Sequence, residues 1–147
     1  MTEQIEKSIV IEAPAPAVWF ALTNPELMKQ WMAEPELGLE IITDWKIGSA
    51  ILMKGFHHLQ FENKGTVLQF EPYSALQYNY LSSISRLPDK PENFTTVGFK
   101  LEPLESQTSL KVIVSNFPTE TIFKHVEFYW RGTMIKLKRL IEKQHTE

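Results

Sequence analysis

The chain has 147 residues, of which 43% are hydrophobic and 22% charged, a composition typical of one globular domain. Its net charge of −3 provides no overall positive field, which excludes recognition of nucleic acid by bulk electrostatics. It contains no cysteine, which excludes disulfides and every cysteine-based metal site or nucleophile. No leader-like segment opens the chain and no apolar run reaches about 18 residues, so we expect a cytoplasmic protein with no membrane span.

One strand and two short helices are predicted at the start of the chain. Residues 5–12 are β-branched and partly alternating, which is typical of a strand. Prolines then end the strand and suit the first turn of a helix, which continues through residues 17–22. Asn24 is a good N-cap and Pro25 a good first residue for a second helix. Residues 33–38 follow as an exposed loop.

Six further strands are predicted, because apolar and polar residues alternate with a period of two between turn signals. The predicted strands are residues 39–45, 50–57, 66–70, 76–80, 95–101 and 109–114. Gly55 is a candidate bulge, and residues 63–65 are predicted to turn the chain. Strands joined by such short connections form an antiparallel meander.

The longest loop-like segment is residues 85–93, which contains two prolines and alternating charges. A mobile loop at the rim of a sheet can gate a pocket. A plain hairpin connection is the alternative interpretation.

Residues 119–143 predict a long amphipathic helix of about 37 Å. Its apolar residues recur three or four apart: Ile122, Val126, Trp130, Met134 (or Thr133), Leu137 and Ile141. A helix of this kind after a series of short strands must bury its apolar stripe against a sheet.

Basic residues crowd the second half of this helix: Arg131, Lys136, Lys138, Arg139 and Lys143. Cations there complement the negative end of the helix dipole, and a patch for phosphate or a membrane surface is the alternative. Glu127 and Arg131 are four residues apart in the order that favours a solvated ion pair.

Seven short segments carry a resemblance to a known family. They are residues 9–14 with Val18 and Trp19, Pro25 and Glu26 with Trp31, Gly48, residues 65–67 leading to Glu71, Pro72 and Leu76, residues 99–103, residues 108–110, and Trp130 with Leu137 and Leu140. In this order they resemble the START-like, helix-grip fold of the SRPBCC superfamily, and its branch named for the activator of the heat-shock protein 90 ATPase homologue. The resemblance extends from about residue 5 to residue 141.

The resemblance implies an α+β fold. A curved antiparallel sheet of about six or seven strands would wrap around a long C-terminal helix, with two short helices after the first strand. Two positions depart from the family pattern, since Tyr129 stands where a glycine is common and Ser49 where Gly48 often has a glycine partner. The Tyr129 ring occupies space through which the helix could otherwise approach the sheet.

A pocket is predicted between the helix and the sheet, because a curled sheet leaves space beside a straight helix. The predicted lining residues are Trp31, Met53, Phe70, Tyr78, Tyr80, Phe99, Phe123, Trp130 and Met134. These side chains favour a flat or hydrophobic small molecule, which the hydroxyls of Tyr78 and Tyr80 would orient. The alternative is that the aromatic rings simply fill the interior.

Neither a metal, nor a cofactor, nor a catalytic residue is predicted. His57 and His58 are adjacent on a strand and point to opposite faces, while His125 and Glu127 lie about 200° apart on a helix. No GxSxG, P-loop, Rossmann or HExxH motif occurs. The first hypothesis is therefore a domain that binds a hydrophobic or aromatic small molecule. The resemblance implies a second, docking on a chaperone ATPase, and a third, a cyclase- or hydrolase-type enzyme.

Overall fold

The computed structural model describes residues 3–57 and 59–146, without the side chains of residues 57 and 146. This part of the chain forms seven strands, two short helices and one long helix. Their bounds are β1 Gln4–Ile11, α1 Ala15–Thr23, α2 Pro25–Met32, β2 Glu40–Thr43, β3 Ala50–His57, β4 Leu59–Glu71, β5 Ala75–Ser82, β6 Thr95–Leu104, β7 Gln107–Ser115 and α3 Glu120–Thr146. The predicted α+β class and element order are confirmed.

The strands form one antiparallel sheet in the order β1-β7-β6-β5-β4-β3-β2. Strands β2 to β7 are neighbours in sequence as well as in space, so they form the predicted meander. The first strand closes the order by pairing with the last, with Ile5 opposite Val114 and Ile11 opposite Thr108. The curved sheet holds α3 on its inner face, which is the helix-grip arrangement.

Helix α2 begins as its sequence predicts. The Asn24 side chain accepts hydrogen bonds from the backbone amides of Glu26, at 2.9 Å, and Leu27, at 3.2 Å. Pro25 occupies the first turn, where its missing amide costs nothing. Trp31 Nε1 then donates to the Ala21 carbonyl oxygen at 2.9 Å, which ties α2 to α1. Two local signals, a cap and a proline, thus set the point where α1 stops and α2 starts.

The predicted stripe of α3 faces the core. Val126, Thr133, Trp130, Met134, Leu137 and Ile141 are all buried, and Ile122 packs at the edge of the core. None of the helices within residues 3–57 and 59–146 is long and apolar enough to cross a membrane.

Two lysines of α3 contact other elements of the fold. Lys138 Nζ donates to the Val10 carbonyl oxygen at 2.8 Å, and Lys136 pairs with Glu34 at 3.2 Å. These contacts join the helix to β1 and to the segment after α2. Arg131 pairs with Glu127 at 3.1 Å, with the Arg131 side chain exposed and that of Glu127 partly exposed, which confirms the predicted surface pair.

The predicted turn at residues 63–65 is wrong, because β4 runs straight through it. Asn63 lies opposite Met53, and Gly65 lies opposite Ile51. The Asn-Lys-Gly composition is typical of turns, but pairing with strands on both sides overrides that local preference. Gly65 has a different purpose, since a Cβ atom there would lie 1.7 Å from the Asn79 carbonyl oxygen.

The predicted bulge at Gly55 is also wrong. Gly55 pairs with Phe61 in regular register, and the irregularity in the sheet lies between Val67 and Gln69. A Cβ on Gly55 would come within 2.8 Å of the Phe61 ring. The glycine therefore makes room for an aromatic side chain on the neighbouring strand. Strand β2 is shorter than predicted, ending at Thr43.

The segment at residues 85–93 is anchored by contacts with β4 and with the connection after β7. Lys64 of β4 pairs with Asp89, and Asn116 Nδ2 donates to the carbonyl oxygens of Glu92, at 3.1 Å, and Phe94, at 2.6 Å. A 3₁₀ turn at Pro91–Asn93 leads into β6. These contacts favour the interpretation of a plain connection over that of a gate.

Candidate functional site

The predicted lining residues come from α2, α3 and four strands, and all lie in the core or against it. Trp31, Met53, Tyr78, Phe99, Trp130 and Met134 are buried, and Phe70, Tyr80 and Phe123 are partly buried against the core. The alternation of β5 places Leu76, Tyr78 and Tyr80 on one face of the sheet.

Three of these rings form a triangle. The centroids of Trp31 and Phe99 lie 6.4 Å apart, those of Trp31 and Trp130 6.2 Å, and those of Phe99 and Trp130 5.9 Å. Tyr78 joins the group through Phe99 at 6.4 Å. Edge and tilted contacts at these distances are the favourable geometries for aromatic pairs. Helix α2, helix α3 and the sheet therefore meet in one aromatic cluster.

Sequence reasoning missed two tryptophans that extend this cluster. Trp45 lies 6.2 Å from Tyr78 and 5.8 Å from Phe70, and Trp19 lies 5.2 Å from Phe70. Trp45 has a φ of 59°, so it has left the strand in which the alternating pattern placed it. Its Nε1 donates to the Thr23 carbonyl oxygen at 2.6 Å. A useful signal was the neighbouring Asp44, a residue type that favours turns.

Phe123 lies apart from the other predicted rings. It makes an edge contact with Phe117 at 5.0 Å, near the start of α3. Phe117 is buried in the connection after β7. The pair closes the end of the interior that is bounded by the first turns of α3.

Three tyrosine hydroxyls lie in this interior. Tyr129 donates to the Met32 carbonyl oxygen at 2.6 Å, which shows how the helix accommodates the large ring at this position. The hydroxyls of Tyr78 and Tyr80 make no hydrogen bond with any residue that the structure describes. Burial raises the pKa of Tyr80 to about 12. Burial, together with the nearby phenols, also raises the pKa of Tyr78. Both groups are therefore neutral hydrogen-bond donors at physiological pH.

Because these phenols stay protonated in the folded protein, we expect the free energy of unfolding to fall at alkaline pH. The unfolded chain ionises its tyrosines near pH 10, whereas folding keeps Tyr80 protonated until about pH 12. The folded state therefore binds more protons in that window, and its stability is full below pH 10 and falls as the pH rises. Linkage gives a slope of about 1.4 kcal/mol per pH unit for each such phenol.

Urea unfolding between pH 9 and pH 11 measures this effect. Tyr80→Phe should decline less steeply with pH than the wild-type protein, because its ring has no proton to lose. Parallel declines in the two proteins would show that the Tyr80 phenol is not held protonated by the fold.

Asn63 is a polar residue of the inner face that the sequence did not predict there. Its Oδ1 atom is buried and has no hydrogen-bond partner among the described residues. Asn63 lies opposite Met53 of β3 and Ser82 of β5, so its side chain is on the inner face of the sheet. The sequence placed it in a turn, where asparagine is common and exposed.

The interior is neutral. Within residues 3–57 and 59–146 the buried polar side chains are Thr95, Thr108 and Thr133, and no charged side chain is buried. Two of these threonines are satisfied, since Thr108 donates to the Ala13 carbonyl oxygen at 2.8 Å and Thr133 to that of Tyr129 at 2.6 Å. The interior therefore consists of apolar surface with a few neutral polar groups.

The histidine side chains that the structure describes, His125 and His145, are exposed and lie outside this interior. His58 and the side chain of His57 lie outside the described residues. Among residues 3–57 and 59–146, no group of three or more His, Asp or Glu side chains is placed to hold a metal ion.

A separate open cleft of about 530 Å³ lies between α2, the 3₁₀ turn at Pro35–Leu37 and β2. Its lining includes Lys29, Glu34, Leu39 and Ile41 and none of the nine predicted residues.

Seven antiparallel strands around one long helix, with two short helices after β1, define a helix-grip protein of the SRPBCC superfamily. Residues 12–142 match the family described as Activator of Hsp90 ATPase homolog 1-like protein. The chain belongs to this family.

Solved structures share this fold. A Cytophaga hutchinsonii protein is 34% identical with a TM-score of 0.81, and the match covers 100% of this chain and 99% of that one. A Chromobacterium violaceum protein is 19% identical with a TM-score of 0.81, covering 95% and 96% of the two chains. The Aha1 dimer from Colwellia psychrerythraea is 23% identical with a TM-score of 0.73, again covering 95% and 96%. No curated protein matches the sequence.

Proposed function

We propose that the chain is a single small-molecule-binding domain that holds a hydrophobic or aromatic ligand between α3 and the inner face of the sheet. The observation that carries this proposal is Tyr78, which is 3% exposed while its hydroxyl pairs with no described residue. A hydroxyl that lies in an apolar interior and makes no hydrogen bond there is an unused donor. A polar group of a bound ligand would satisfy it.

The surroundings of Tyr78 suit such a ligand. The rings of Trp45 and Phe99 lie 6.2 and 6.4 Å from the Tyr78 ring. Aromatic walls with a few directed hydroxyls are typical of small-molecule sites, because the walls supply apolar contact and the hydroxyls fix the orientation. The aromatic cluster is thus suited to a flat apolar body.

The outer face of the sheet supports binding in the interior over docking on the sheet. Gln77 and Asn79 of β5 point away from the core, and Lys100 of β6 lies directly opposite Lys111 of β7. This part of the outer face lacks the apolar centre of a protein interface, whereas the exposed apolar side chains of that face, such as Ile42 and Phe56, lie on β2 and β3 towards one edge of the sheet.

Native mass spectrometry of the freshly purified protein tests the proposal. We expect a mass excess that disappears on denaturation and identifies the ligand. A native mass equal to that of the polypeptide alone, together with an unchanged melting temperature in the presence of flat aromatic compounds, would contradict the proposal.

The same measurement on variants locates the ligand. Tyr78→Phe keeps the ring and removes the hydroxyl, so it should weaken binding by roughly 0.5–1.5 kcal/mol without unfolding the protein. Gln77→Met, on the opposite face, is the matched control and should bind like the wild-type protein. Asn79 is unsuitable as a control, because its Oδ1 accepts from the Thr66 amide at 2.8 Å. Equal losses in both variants would place the ligand elsewhere.

A second candidate function is docking on a chaperone ATPase, which the family description suggests. The outward face of α3 favours it, since Phe128 is 75% exposed and Ile135, two turns along the helix, is 47% exposed. An Hsp90 ATPase assay with the wild-type chain and with Phe128→Ser tests this candidate. Stimulation that the substitution abolishes would support it.

A further inference from the structure

We infer that the ligand carries a neutral group that both donates and accepts hydrogen bonds, such as a carboxamide or lactam, and that Asn63 accepts its N–H. This inference rests on the proposed function, because it assigns the polar end of the same interior site.

The position of Asn63 follows from the register of the sheet. Its two cross-strand neighbours are Met53, which is 6% exposed, and Ser82. Directly opposed residues share a face, so Asn63 points to the side of the sheet that carries the core. Its Oδ1 atom is buried without a partner among the described residues. An amide oxygen in that situation needs a donor, and the described protein residues do not provide one.

Hydrogen-bond donors lie on the same face of the sheet as Asn63. Tyr80 is two residues before Ser82 on the same face of β5, which makes it a diagonal neighbour of Asn63 at about 7–8 Å between Cα atoms. The hydroxyls of Tyr80 and Tyr78 lack acceptors among the described residues. An acceptor on Asn63 and a donor on its diagonal neighbour Tyr80 match the N–H and C=O of a single amide group.

The lack of buried charged side chains argues against a ligand whose polar group is ionised. None of the buried side chains in residues 3–57 and 59–146 carries a charge. A carboxylate or ammonium group would therefore lose its hydration without gaining a counter-ion, which is costly in a site of low polarity. A neutral amide meets both requirements, because it can pair with Asn63 and Tyr80 and brings no charge.

Three matched probes test this inference on the full chain: naphthamide, dimethylnaphthamide, which lacks the N–H, and naphthoate. Tryptophan fluorescence at neutral pH reports their binding, since Trp31, Trp45 and Trp130 line the cluster. We expect naphthamide to bind about 3–10-fold more tightly than dimethylnaphthamide, the worth of one hydrogen bond. Naphthoate should bind at least about 10-fold more weakly than naphthamide.

Asn63→Leu separates a binding role from a structural one. The variant should lose the preference for naphthamide over dimethylnaphthamide. Its melting temperature should also rise by about 2–6 °C, because an unpaired buried amide has been removed. Asn79→Leu serves as a comparison for stability only, and its melting temperature should fall, since the Thr66 amide loses its acceptor.

The outcomes distinguish the two proposals. Equal binding of the three probes, or a preference that persists in Asn63→Leu, would overturn the role of Asn63 and leave the binding function standing. If no probe binds and the purified protein also has a bare mass, the binding function fails together with this inference.

Discussion

Replacing Trp130 by alanine should lower the free energy of unfolding by about 3–5 kcal/mol. Trp130 is 3% exposed and its ring contacts Trp31, Phe99 and Tyr129, at 6.2, 5.9 and 5.2 Å. Removing the indole leaves a cavity where α2, α3 and the sheet meet, and the rigid neighbours cannot fill it. Since a domain has only about 5–15 kcal/mol of stability, urea unfolding followed by circular dichroism should show a large shift of the midpoint.

Phe128→Ala is the control on the same helix. Phe128 is 75% exposed, so its removal should change stability by no more than about 0.5 kcal/mol. An unchanged midpoint in Trp130→Ala would contradict the burial of the indole between helix and sheet.

Replacing Gly65 by alanine should destabilise the protein by about 3 kcal/mol or more. The added Cβ would lie 1.7 Å from the Asn79 carbonyl oxygen, a distance that no contact permits. Because the obstacle is backbone, β4 and β5 would have to separate, and they form the part of the sheet that carries Asn63, Tyr78 and Tyr80. Thermal unfolding measures the loss of stability.

Gly132→Ala is the matched substitution in α3. A Cβ there would meet nothing within 4 Å, and alanine is the better helix former, so we expect a gain of about 0.5–1 kcal/mol. The two glycine substitutions should therefore have opposite signs. A gain in stability, or no change, in Gly65→Ala would show that the backbone at Gly65 is not as close to β5 as the structure places it, and a loss in Gly132→Ala would contradict the open space around that residue.

Much of the aromatic site could be predicted from the sequence. Large apolar residues at strand and helix spacing, such as Tyr78, Phe99 and Trp130, have few positions other than the interior. The pairing of their rings could not be predicted, because it depends on how three elements far apart in sequence meet. Trp45 was missed for a related reason: its strand pattern was real, but the chain turns at φ 59° one residue after Asp44.

The sequence by itself determined the helices and the class of fold. The period of α3 and the Asn24 cap of α2 are local features, since each depends on residues within one or two turns of the chain. Tertiary structure alone decided the path of β4 through residues 63–65, because a polar Asn-Lys-Gly segment becomes a strand only when β3 and β5 pair with it on both sides. That pairing turns Asn63 from a turn residue into a buried acceptor, so the polar end of the site depends on backbone hydrogen bonds between strands rather than on any local preference.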